Sequence, residues 1–263
     1  MNTEKPRVGL FVTCLVNLFR PSVGFATIQL LEDAGCTVVI PEAQTCCGQP
    51  GYNPGDFDGA RAVAKQVIET FSEYDYLVVP SGSCAGMIRI HYPALFKQDL
   101  AWLAKAETLG NKTYELTSFL ADVRHYQAGH YQASHTEDLS HQSFTYHDAC
   151  AGLRELGIKN QPRQLLKQSA NITINEMTRT EECCGFGGTF CAKMPKISEA
   201  MVTDKLSAAL ATGADTLLGG DLGCLLNIAG RAKRLDKNLR VRHVAEVLAQ
   251  RLEQAAIGEG QDT

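Results

Sequence analysis

The stretch "EECCGFGGTF" at residues 181–190 sets two cysteines side by side and follows them with three glycines in four positions. Adjacent cysteines pair poorly with each other, because a disulfide needs well-separated Cα atoms and converging Cβ vectors. A second "Cys-Cys-Gly" stands in "TCCGQPG" at residues 45–51. The relation between these two stretches decides how the whole chain is read.

Outward from each pair, the surroundings repeat. Cys14 precedes Cys46 by 32 positions, and Cys150 precedes Cys183 by 33. Cys84 follows Cys47 by 37 positions, and Cys224 follows Cys184 by 40. Strand-like runs lead into the cysteines in the same order in both copies: "VGLFVT", "CTVVI" and "YLVVP" in one, "SFTYHDA", "NITINEM" and "DTLLGG" in the other. Each copy closes with an expected amphipathic helix, "YELTSFLADV" or "VRHVAEVLAQ". Agreement in order, spacing and local chemistry marks an internal duplication.

Between the strand-like runs lie helical patterns. "VGFATIQLLEDAG" carries apolar residues at helical intervals and ends in Gly35, a C-cap signal; "GARAVAKQVIETFSEY" and "MPKISEAMVTDKLSAALATGA" behave alike. Strands alternating with helices of this length predict parallel sheets joined by crossover helices. The expected architecture is therefore α/β, with two internally duplicated units related by a pseudo-two-fold. The first unit spans residues 1–124 and the second 143–250. The polar "HYQAGHYQASHTEDLSHQ" (125–142) reads as a solvated linker, and 251–263 as a flexible C-terminal tail.

The composition narrows the function classes. With 263 residues, 44% hydrophobic and 21% charged, the chain has the make-up of a globular protein with ample core. A net charge of −4 with scattered basic residues argues against nucleic acid, since the one basic cluster, "RAKRLDKNLR" (231–240), reads as a helix end. No apolar run reaches the roughly 18 to 20 residues a membrane span needs. "VGLFVTCLV" (8–16) is rich in β-branched residues and ends in a cysteine of the repeated pattern, so it reads as a strand and not as a signal-peptide core. Ten cysteines, two pairs of them adjacent, fit thiolates held as metal ligands in a reducing cytoplasm better than disulfides.

Ligands of open parallel sheets gather beyond the carboxyl ends of the strands. Cys14, Cys84, Cys150 and Cys224 each stand just past a predicted strand, and the Cys46-Cys47 and Cys183-Cys184 turns follow strand-like runs as well. Two quartets of candidate metal ligands result: Cys14, Cys46, Cys47 and Cys84, then Cys150, Cys183, Cys184 and Cys224. Helix N-termini at that rim favour thiolate over thiol. Gly48, Gly185 and Gly187 are candidate cofactor-cradling residues, able to take φ > 0 beside paired thiols and to present amides to sulfur. Cys36, at the start of a predicted strand and without a counterpart, reads as a small buried apolar residue, and Cys191 also falls outside the repeat.

The strings "LFVTCLVNLF", "QTCCGQPGYN", "PSGSCAGM", "YHDACAGLRELGIK", "ECCGFGGTF" and "DLGCLLNI" resemble the cysteine-rich, or CCG, domains found in heterodisulfide reductase and in the iron–sulfur subunit of glycolate oxidase. They resemble the lactate-utilisation protein A family most. That resemblance implies an iron–sulfur subunit of an L-lactate oxidising complex. It also implies two partners, a ferredoxin-type iron–sulfur subunit and a third small subunit. The location implied is cytoplasmic, or peripheral at the inner face of the membrane through those partners. Heterodisulfide reductase relatives end their motif in Cys-x-x-Cys and hold a non-cubane cluster on five thiols. Here Ser81 and Asp221 stand three positions before the last cysteines, and Met87 and Asn227 three after. Four thiols per half suit a [4Fe–4S] cluster or a single Zn²⁺ equally.

Three functions compete on these residues: an iron–sulfur redox subunit, a zinc-bearing docking subunit, and a thiol–disulfide oxidoreductase using Cys183-Cys184. Symmetry disfavours the last, since eight matched cysteines exceed what thiol exchange needs. A nicotinamide enzyme is disfavoured because "GFGG" (185–188) follows the cysteine pair and does not open a dinucleotide unit. Arg154 and His147 are the candidate catalytic residues, with Asp148 and Glu155 beside them. Arg154 offers a bidentate fork for a carboxylate such as lactate's, set against a plain structural role at a helix start.

Overall fold

The computed structural model describes residues 5–127, 142–168 and 172–259. Two four-stranded sheets organise the chain. The first contains β1 (Arg7–Leu10), β2 (Thr37–Val39), β3 (Tyr76–Val79) and β4 (Thr113–Glu115), in the order β2-β1-β3-β4. The second contains β5 (Ser143–His147), β6 (Thr173–Ile174), β7 (Thr216–Gly219) and β8 (Arg240–His243), in the order β6-β5-β7-β8. Every pairing in both is parallel. The duplication read from the cysteines is thus a duplication of topology. Helices on both faces cover the strands, which is why Leu77, Val78 and Val79 are all buried instead of alternating with polar residues.

The strand order is what matters for a site. After β1 the chain crosses to one neighbour, β2, then returns past β1 to pair on its other side as β3. The reversal opens a crevice at the carboxyl ends of the strands. Into it come the loops that follow β1, β2 and β3, and each of them bears cysteine.

Two expectations are corrected. The segments taken as closing helices begin as strands: "YELTSFLADV" starts in β4, and "VRHVAEVLAQ" starts in β8 before the helix Val244–Leu248. Edge strands of three or four residues are too short to show a period against the helix that follows. The expected tail is also packed where it is described. Leu252, Ala256 and Ile257 are buried, the Ile257 amide donates to the Val241 carbonyl, and Arg20 Nη1 donates to the Ala255 carbonyl at 2.6 Å. The expected linker lies outside the described residues except for His125, Tyr126, Gln127 and Gln142.

The halves pack against each other through a shared apolar cluster. A single apolar cluster joins Val8, Leu10 and Leu30 of the first to Phe144, Leu217 and Val241 of the second. Helix Gly82–Gly86 lies against helix Cys150–Leu156 so closely that a Cβ on Gly82 would stand 2.9 Å from the Gly152 Cα. Arg20 and Glu246 form a fully enclosed ion pair across the boundary, Nε to Oε1 at 2.8 Å, and Ser22 Oγ donates to the same carboxylate oxygen. Among the described residues no helix is long and apolar enough to cross a membrane.

Candidate metal centres

The predicted thiols of each half lie near one another. In the first half the thiols neighbour one another in the order Cys14, Cys46, Cys47, Cys84. In the second the order is Cys150, Cys183, Cys184, Cys224. Cys14 and Cys150 open the helices Cys14–Phe19 and Cys150–Leu156, while Cys84 and Cys224 lie in the first turns of Gly82–Gly86 and Leu222–Arg234.

The glycine turns do what paired thiols require of them. Gly48 and Gly185 have φ of 82° and 81°, a region closed to most side chains. The Gly185 amide donates to Cys183 Sγ at 3.3 Å, and the Gly48 amide serves Cys46 in the same way. The carbonyl between each pair and its glycine is pinned as well. Tyr92 Oη donates to the Cys47 carbonyl at 2.9 Å, and Asn227 Nδ2 donates to the Cys184 carbonyl at 2.9 Å. Gly187 (φ 53°) approaches the Phe190 side chain.

This geometry separates the thiols by charge. Cys46, hydrogen-bonded by Cys14 and Cys47 and by backbone amides, is held down at about 2. Cys183 is lowered to about 2 by Cys150, Cys184 and the Gly185 amide. Their neighbours Cys14, Cys47, Cys150 and Cys184 are pushed up, first by these same hydrogen bonds and then by burial. In each quartet the first thiol of the Cys-Cys pair is thus the one most readily ionised, and a bound cation would displace protons from the rest.

The donor chemistry fits a thiophilic metal. Sulfur ligands select zinc, copper(I) or iron–sulfur clusters over magnesium or calcium. A cavity of about 340 Å³ adjoins the first quartet; Cys14, Cys46, Cys47 and Cys84 line one side, and Phe186, Leu222 and Asp221 of the second half close the other. Asp221 is drawn into the first half, accepting from Ser81 Oγ at 3.1 Å and from the Ser83 amide at 3.0 Å. Ser81 and Asp221, equivalent positions of the two copies, thus meet at the boundary.

The remaining candidates lie elsewhere. Arg154 is exposed on its helix, its Nη2 donates to the Glu181 carbonyl at 3.4 Å, and among the described residues it does not line the cavity. Glu155 faces His91 at 3.2 Å. Asp148 is gripped by Arg163 through both guanidinium nitrogens, at 2.8 and 3.1 Å. Arg163, which also holds Glu176, carries no motif and escaped sequence reading. Cys36 is buried in the shared core, and Cys191 donates to the Gly188 carbonyl. His147 is not an exposed acid–base group. Burial holds it neutral, down at about 3, and its ring lies beside Cys184 and Cys224, the three ligand atoms within 4.8 Å of one another. Aligning the two copies could have singled it out, because Phe11 occupies the equivalent place.

Known proteins share this plan. The CCG cysteine-rich domain model matches residues 8–89 and 144–229, the two halves in turn. "Lactate utilization protein A" of Bacillus cytotoxicus is 47% identical over 245 residues, covering 93% of this chain and 99% of the relative. The protein of the same name from Bacillus thuringiensis is 46% identical with the same coverage. A hypothetical protein from Helicobacter pylori is similar in fold at a TM-score of 0.65 and 8% identity, with 95% of this chain and 50% of that one superposed.

Proposed function

Since the chain belongs to the lactate utilisation protein A family, with a CCG cysteine-rich domain in each half, we propose that it serves L-lactate oxidation as a redox subunit holding one iron–sulfur cluster per half. The observation that carries the proposal is the assembly of two sulfur quartets at equivalent loops of two parallel sheets. Cys14, Cys46, Cys47 and Cys84 would hold one cluster, and Cys150, Cys183, Cys184 and Cys224 the other, each of [4Fe–4S] type. A cluster so bound supplies one-electron transfer. Around it the chain's own groups favour the ionised form of Cys46 and Cys183 through the Gly48 and Gly185 amides, fix the turns through Tyr92 and Asn227, and exclude water by burying Cys47 and Cys184.

The electrons would pass to a ferredoxin-type iron–sulfur partner, within a complex completed by a third small subunit. That complex would work in the cytoplasm or against the inner face of the membrane. Among the described residues no cationic side chain lines the cavity beside the first quartet, which favours lactate binding on another subunit over binding here. Anaerobic purification followed by iron, acid-labile sulfide and zinc analysis, with EPR of the reduced protein, tests the proposal. Iron and sulfide in matching amounts with a cluster signal support it. A folded chain carrying zinc alone overturns it in favour of a docking subunit, and a chain without metal leaves thiol–disulfide exchange.

A further inference from the structure

The two halves place different residue types behind their first cysteines. Three positions before Cys14 stands Phe11, and three before Cys150 stands His147. Both side chains are enclosed, at 0% and 1% exposure. Phe11 packs into the apolar cluster behind the first sheet, its ring 5.7 Å from that of Phe71. His147 lies beside Cys184 and Cys224 instead. Among the described residues neither of its ring nitrogens has a hydrogen-bond partner.

A buried imidazole without a partner forfeits the hydrogen bonds it made to water, and native structures leave such groups only where something else takes their place. Of the two charged groups that face it, the Cys183 thiolate is itself one of the candidate metal ligands, and Lys205 offers no remedy. Lys205 has only protons to give, and it gives them to the carbonyls of Arg179 and Thr180. What His147 does have within reach is sulfur: its ligand atom and those of Cys184 and Cys224 all lie within 4.8 Å of one another, a spacing that lets one metal touch all three.

We infer that the two centres are chemically unequal: the first is all sulfur, whereas in the second the His147 imidazole binds the metal alongside Cys184 and Cys224. This rests on the reading that each quartet holds a metal, but not on the metal being iron. The fitting ion is a borderline-soft one, zinc or an iron of a cluster, for which imidazole and thiolate are both good ligands. Cys150 and Cys183 bring the donors at this centre to five, so a four-coordinate ion would leave one outer thiol available. Imidazole is a neutral ligand. A nitrogen-bound iron would therefore be easier to reduce than its all-sulfur counterpart, as in Rieske centres, and electrons would settle on the second half.

Cobalt(II), added to the full-length metal-free chain, is the probe, since it reports ligand type whether the native metal is iron or zinc. Expected are cobalt at both quartets and, by pulsed EPR, the hyperfine coupling of one directly bound imidazole nitrogen. That coupling should change frequency when the protein is made with ¹⁵N-histidine. It should vanish in His147→Phe, which copies the first half, and in His147→Gln. Cobalt affinity at the second quartet should fall in both variants by on the order of tenfold or more. The labelled wild-type chain decides the matter even if neither variant folds. Cobalt bound with no histidine nitrogen coupling, or a coupling that survives in both variants, overturns the inference while leaving the metal centres standing. Failure of cobalt to bind either quartet overturns both. Zinc in place of iron in the native protein overturns only the iron–sulfur reading.

Discussion

The two halves solve one structural problem with different materials. Both gather four sulfurs where a parallel sheet reverses its strand order, and both lower the first thiol of a Cys-Cys pair with a glycine amide. The first half backs its sulfurs with an aromatic cluster around Phe11 and opens onto a cavity of about 340 Å³. The second sets a bare imidazole beside them and spends Asp221 on the first half's Ser81 and Ser83. Duplication preserved what builds a site, while the residues just behind it diverged. A shared frame with unequal linings is how one fold comes to hold two centres of different properties.

The largest effect expected from breaking the comparison is on metal content. Cys46→Ser and Cys183→Ser should each remove about half of the metal bound per chain and leave the other centre's spectrum intact, because the quartets belong to separate sheets. Elemental analysis checks this, and loss of all metal in either variant would mean that the halves share one centre.

Next comes the contact that joins the halves. Arg20→Met leaves the Glu246 carboxylate enclosed without its counter-ion, and unfolding stability should fall by about 3–5 kcal/mol. Urea denaturation measures it, and a loss under about 1 kcal/mol would show that the pair is not what locks the units together.

Equivalent positions also differ in how they answer pH. Glu115 and His243 each cap the helix that follows the fourth strand, Glu115 accepting from the Thr117 and Ser118 amides and His243 from the Ala245 amide. Burial raises Glu115 from 4.5 to about 7 and lowers His243. Between those two Glu115 values the folded chain keeps a proton that the unfolded chain has lost, so stability should fall as pH rises through this window, by about 3 kcal/mol in full. His243 acts oppositely, weakening the fold as pH drops below 6.5. Glu115→Gln should remove the fall between pH 4.5 and about 7 and leave the His243 effect in place. Denaturation midpoints at pH 5 and pH 8 decide, and an undiminished slope in the variant would assign it to another group.

The smallest expected difference sharpens the comparison of the turns. Alanine at either glycine suffers the left-handed backbone, about 1–2 kcal/mol. At Gly185 the new methyl also meets the Ser198 carbonyl oxygen at 2.8 Å, whereas at Gly48 its nearest contact is Val63 at 3.4 Å. Gly185→Ala should therefore be the more destabilising by about 2 kcal/mol. Equal melting losses would show that the second turn relaxes freely.

Much of this molecule is legible without coordinates. Cysteine spacing marks the copies, apolar runs between helical patterns mark parallel α/β units, and glycines beside thiols mark the turns. All of these are local signals, carried by residues a few positions apart. What stayed hidden is of another kind. β4 and β8 exist because β3 and β7 offer them an edge to pair with, not because three or four residues prefer extension. Arg163 matters through carboxylates at 148 and 176 that no pattern links to it. Residues 251–257 look like a polar end until the core that receives Leu252 and Ile257 is seen.

The sequence by itself determined which sulfurs could act and that they come as two sets, since residue type and spacing are written along the chain. Only the tertiary structure decided that β1 lies between β2 and β3, which closes each set. It alone joined the two halves through one apolar cluster and, among the described residues, left the His147 ring nitrogens without a hydrogen-bond partner next to Cys184. Strand order and burial depend on contacts between residues far apart in the chain, and a one-dimensional pattern does not encode which of its distant parts will touch.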